Sequence, residues 1–244
     1  MVARGLGAIN PSFAPERQAR IRKPPVPDLD ILQIVLQIGF LVLSLGVHEA
    51  AHAWVAYLCG DRTARDLGRL TLNPLAHLDL YLSVILPGML YWMTNGALIF
   101  GGAKPVPIVA SNMRHPMRGL MLSALAGPAS NFLLAMLFLS CQKTLTSVLG
   151  MRSDTLAVYV VEGAVYANLV LTIFNMIPLP PLDGSRVLAY FLPSSLRMTY
   201  MGLERHGMLI LFLLLALGVT NRIIVPALLP LHRAVDFLTG GPWP

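Results

Sequence analysis

Charge is the first thing this sequence is short of. Asp, Glu, Lys and Arg make up only 12% of its 244 residues, against 55% hydrophobic residues, and the mean hydropathy is +0.66. A soluble domain carries roughly twice that charge, so the composition excludes an ordinary soluble protein and points to an integral membrane one. Cysteine is nearly absent. Cys59 and Cys141 both lie in or beside apolar runs, which excludes a disulfide framework and a thiolate metal site. Basic residues outnumber acidic ones by 18 to 12, but no basic stripe is interleaved with aromatics. Nucleic acid is therefore excluded as a partner, while the net charge of +6 suits an anionic bilayer surface. No apolar core of the signal-peptide kind precedes residue 31, so no cleaved signal is expected. Internal repeats and low-complexity segments are also missing, and the loops are too short for an inserted soluble domain.

Long apolar runs are what the chain does have. Residues 1–30 read as a basic, proline-rich tail carrying Arg4, Arg17, Arg20, Arg22 and Lys23. Residues 31–231 read as the membrane-embedded unit and 232–244 as a C-terminal tail. Spanning helices are expected over Ile31–Cys59, Gly119–Cys141, Leu156–Pro178 and Gly207–Leu229. Leu80–Phe100 is apolar too, but Pro87-Gly88 and Asn95-Gly96 interrupt it, which fits a re-entrant segment better than a straight span. Residues 60–74 alternate charged with small and β-prone residues and read as a short strand or irregular loop, with His77 just beyond as a surface histidine. Residues 101–108 read as extended, because Pro105 and Pro107 bias their neighbours away from the helix. The fold class expected is an all-α polytopic membrane protein, a bundle of about 4–6 transmembrane helices with a re-entrant or β-like membrane-associated segment.

Inside the first apolar run lies His48-Glu49-Ala50-Ala51-His52, a His-Glu-x-x-His string. Residues four apart share one helix face, so His48 and His52 can offer two imidazole nitrogens to one metal ion. Glu49 can then reach a metal-bound water as general base without being a ligand. With six His and four Glu in the chain, about 0.002 chance matches are expected. An acid between two imidazoles at bilayer depth is costly and marks a functional site.

Catalytic zinc usually takes three protein ligands and leaves a position for water. Among the few remaining acids Asp183 stands out. It follows Asn175-Met176-Ile177-Pro178-Leu179-Pro180-Pro181-Leu182, directly after a spanning run, and Gly184 comes next. The prolines break the helix and can aim the carboxylate back into the bundle; the same string is equally an ordinary solvent turn.

His-Glu-x-x-His at 48–52, Ala-Gly-Pro-x-x-Asn at 126–131 and Asn-x-x-Pro-x-x-Pro-x-Asp-Gly at 175–184 together resemble the site-2 protease group of intramembrane metalloproteases. The likeness runs from about residue 31 to 206, and residues 68–74 and 103–107 resemble compact bacterial members. The resemblance implies one zinc per chain held by His48, His52 and Asp183, with Glu49 as catalytic base. Asn175 would bind substrate or stabilise the developing oxyanion. It further implies transmembrane protein substrates, a multi-pass location in the bacterial inner membrane, and a site nearer the cytosol, with the N-terminus outside. Neither a PDZ insertion nor a C-terminal regulatory domain is evident. Two other classes use the same polar residues: an inactive membrane scaffold, and a metal or ion transporter. Nothing in the sequence indicates an oligomeric state.

Geometry constrains the topology. If His48–His52 and Asp183 meet at one ion, the first and third of these apolar helices run parallel and the helix between them antiparallel to both. Residues 61–69 and 110–118 then lie on the same side, and Leu80–Phe100 re-enters. A substrate segment would be bound extended, by strand addition to residues 60–74 or 101–109.

Overall fold

The structure, a computed structural model, describes residues 31–85, 88, 89, 92 and 101–240. The expectations for residues 1–30 and for most of 80–100 fall outside it. Helix α1 spans Ile31–Leu58, and its 28 residues give a length of roughly 42 Å, more than the ~30 Å hydrocarbon core. Its buried positions include Ser44, Gly46, Ala50, Ala53 and Ala56, small residues that let neighbouring helices approach closely. A short helix α2 (Thr63–Asp66) follows, and then single turns at Pro74–His77, Leu80–Ile85 and Ala110–Asn112. Helix α3 (Pro116–Lys143) starts on a proline, whose fixed φ suits a first helical position. Helix α4 is Leu156–Asn175, α5 Asp183–Phe191, α6 Ser194–Met201, α7 Glu204–Ala216 and α8 Val219–Leu238.

Three helices, α1, α3 with its continuation to Val148, and α4, are long and apolar enough to cross a membrane. The pair α6–α7, bent by 62°, passes the same test as one unit. Their directions follow from register. His52 meets Ser123, His48 meets Asn131, and Phe40 meets Phe138, so α1 and α3 are antiparallel. Gly163 lies against Gln37 and Asn168 bonds Ser44, so α4 runs parallel to α1. The backbone N–H of Arg114 donates to Cys59 O at 3.0 Å, so residues 59 and 114 lie at the same end of the bundle. The main core lies where α3, α4 and α8 meet, around Ala135, Phe138, Leu139, Ala164, Val165, Leu169 and Val235.

Three expectations are corrected. Residues 60–74 hold no strand; no strand occurs among the described residues. Asp61 accepts the Thr63 N–H at 3.0 Å and the Thr63 hydroxyl, opening a helical turn where the charge alternation reads as β. The run Gly207–Leu229 is two helices, because Gly218 at φ +67° ends one and begins the next. Helix α8 continues past residue 231, its Val235 fully buried and its Asp236 paired with Lys143 at 2.7 Å. His77 is buried, and its Nε2 bonds Thr71 O at 2.9 Å.

Candidate active site

The i, i+4 spacing on α1 brings His48 Nε2 and His52 Nε2 to 3.0 Å. Asp183 arrives from the far side. After α4 ends at Asn175, the Pro-rich turn runs close to its own backbone: a Cβ on Gly184 would overlap the Met176 carbonyl, so only glycine fits behind Asp183. That turn starts α5 at Asp183 and places its Oδ2 3.3 Å from each Nε2. Edges of 3.0, 3.3 and 3.3 Å match the ~3.3 Å ligand-to-ligand separation of tetrahedral zinc with bonds of about 2.0–2.1 Å.

Protonation points the same way. His52 Nδ1 donates to Ser123 O at 2.7 Å, and the Ser123 hydroxyl returns a bond to His52 O at 2.9 Å. A carbonyl can only accept, so in the neutral ring Nδ1 carries the proton and Nε2 presents its lone pair. The Asn131 amide lies 3.1 Å from His48 Nδ1. The atom at that distance is the amide nitrogen Nδ2; turning the amide over would bring Oδ1, which is buried without a partner, to accept the Nδ1–H and leave His48 Nε2 a lone pair. Asp183 Oδ2 is also buried and without a hydrogen-bond partner. With the amide so turned, three electron-pair donors face one point and repel each other unless a cation lies between them, so the residues fit a zinc ion. Gly127 completes the enclosure, since a Cβ there would overlap His52 Cε1 and Nε2.

Glu49 offers a carboxylate oxygen within 4.8 Å of donor nitrogens of both histidines, while its Oε2 accepts the Val106 N–H at 2.9 Å. A cavity of about 590 Å³ is lined by His48, Glu49, His52, Val106, Asn175 and Asp183 among others. Asn175 shares this cavity but donates at 3.1 Å to Leu171 O of its own helix. Every candidate site residue from the sequence thus borders one cavity. Ser123, Gly127 and Asn131 were missed as ring-orienting groups; the small-residue string at 126–131 signals close helix approach, but not what is approached.

Comparison with known proteins adds a second line. The description "Peptidase family M50" matches residues 142–217, which include Asn175 and Asp183. A Bacillus subtilis (strain 168) protein named "Putative zinc metalloprotease YwhC" is 34% identical over 196 residues, 77% of this chain and 83% of the relative. "Putative zinc metalloprotease Rip2" of Mycolicibacterium smegmatis is 28% identical, covering 77% of this chain and 69% of its own length. No solved structure gives a significant match.

Proposed function

The chain belongs to peptidase family M50, the site-2 protease group, as a multi-pass membrane zinc metallopeptidase, and we propose that it hydrolyses peptide bonds of transmembrane proteins within or beside the bilayer. In this reading His48, His52 and Asp183 hold one zinc ion per chain. The ion, when bound, would lower the pKa of a water molecule toward neutrality and polarise the scissile carbonyl. Glu49 takes a proton onto its carboxylate from the attacking water and delivers it to the leaving amine nitrogen. Asn175, by exchanging its bond to Leu171 O for the substrate carbonyl oxygen, would stabilise the developing negative charge. The enclosing helices bury His48 and His52, which strengthens the polar interactions they make. The observation that carries the reading is the buried Asp183 Oδ2, 3.3 Å from two imidazole nitrogens and lacking a hydrogen-bond partner.

We place the protein in a bacterial inner membrane with the site nearer the cytosol; a reporter fused before residue 31 that reads cytosolic would reverse that orientation. The deciding experiment compares membrane proteomes of cells carrying wild-type protein and Glu49→Gln. A membrane-protein precursor should accumulate in the variant. Identical proteomes, together with no cleavage by purified wild type of any transmembrane peptide offered, would favour an inactive scaffold.

A further inference from the structure

The two stretches flanking the Leu80–Phe100 run, around Gly60–Pro74 and Ala103–Val109, are not used by the mechanism above, yet they converge on its base. Val106 is buried against Ala53 of α1 and Ala64 of α2, and its N–H holds Glu49 Oε2 at 2.9 Å. The segment around it is tied at both ends. On one side the Lys104 N–H donates to His77 O at 2.7 Å. The Arg69 guanidinium forks between Lys104 O, at 3.0 Å, and Ala76 O. On the other side the Val109 N–H donates at 2.7 Å to Oδ2 of Asp61, which has no exposed surface. The Asn112 amide reaches Asp61 Oδ1 at 3.2 Å, and Thr63 closes the same carboxylate through its N–H at 3.0 Å.

We propose that Lys104–Val109 is a strap whose Val106 N–H fixes the Glu49 carboxylate for proton transfer, and that Asp61 and Arg69 are positioning residues that hold the strap. The proposal rests on the reading of Glu49 as base. A glutamate has three rotatable side-chain bonds and gives up substantial freedom when held, and Glu49 sits close enough to the histidines to turn toward the metal position instead. A backbone donor from a segment clamped at both ends keeps it in place. The same bonds occupy most of the strap's donors: the N–H groups of 104, 106 and 109 are committed, Pro105 and Pro107 have none, and only that of Ile108 is left over. An extended substrate therefore finds few donors on the strap.

The test uses the purified full-length protein in detergent, with a labelled single-helix transmembrane peptide as substrate. Asp61→Asn keeps the shape but leaves one accepting oxygen, and Arg69→Lys keeps the charge but loses the fork. Both should speed amide hydrogen exchange in Lys104–Val109 and retain zinc. Both should lower kcat by about 10–100-fold, the scale of an ångström of misplacement, with KM within about twofold. Unchanged exchange in both variants would overturn the strap. Faster exchange at unchanged kcat, or zinc lost together with activity, would overturn the positioning role. Glu49→Gln is measured alongside: if it stays active the base assignment fails, while the exchange data still report whether Asp61 and Arg69 hold the strap.

Discussion

Asn131 on α3 and His48 on α1, 83 residues apart in sequence, meet at 3.1 Å through the amide and Nδ1 in a fully buried contact. The contact sets which face of the imidazole is turned to the metal position. Asn131→Ala should leave the helices assembled but free the ring to rotate. We expect zinc affinity to fall about 10–100-fold, the range found for groups that orient metal-binding histidines. Competition with a chelator measures it. Affinity equal to wild type would show that the ring is held by packing alone.

Gly127 supplies the steric counterpart. A methyl group at this position would overlap both imidazoles, and α3 cannot retreat without giving up the Ser123–His52 pair of bonds. Gly127→Ala should cost about 1–3 kcal/mol in stability, as overpacking does, and lose most of its zinc. Metal analysis of purified protein, beside a thermal melt, would detect both effects.

Holding an ion and moving a proton are separable tasks. Glu49→Gln should retain about one zinc per chain and lose peptide hydrolysis by several orders of magnitude. His48→Ala, His52→Ala and Asp183→Ala should lose both metal and activity. Asn175→Ala should keep zinc and lose about 10²–10³ in rate. If Asp183→Ala bound zinc and cleaved normally, the third ligand would have to be sought elsewhere.

Asp61 gives the fold a pH dependence. Burial pushes its carboxyl up, but the Thr63 hydroxyl and N–H, the Val109 N–H and the Asn112 amide together outweigh burial and hold it below the ordinary 3.8. A carboxyl whose pKa is lower folded than unfolded adds stability that is full above the unfolded value and is lost as pH falls through the folded one. Wild type should therefore lose this contribution below about pH 4. Asp61→Asn, less stable at pH 6, should close the gap as the pH is lowered. Denaturation midpoints at several pH values would test it, and a gap that stays constant down to pH 2 would count against it.

What the sequence conveyed was mostly local. His48 and His52 are readable because a helix turns a spacing of four into a shared face, and Asp183 because prolines and Gly184 mark the turn that aims it. The directions of α1, α3 and α4 followed once those three residues were taken to meet. Gly127 and Asn131 were legible only as small or polar residues in a span, since their meaning lies in contacts with another helix. Asp61 misled for a related reason: its bonds to Thr63 make a helical turn that alternation does not foresee. The last span looked continuous because Gly218 is one small residue in an apolar run, and only its positive φ breaks it.

The distance along the chain between His52 and Asp183 has a consequence for biosynthesis. The histidines are made and inserted with α1, whereas the carboxylate that closes the trio comes only after α3 and α4. At about 5–20 residues per second that is a delay of several seconds or more. On the ligand set proposed above, a nascent chain arrested between residues 52 and 183 carries His48 and His52 without the third ligand. On that assignment the ribosome delivers the chain unarmed, and the trio is completed only once α3 and α4 are in place around it.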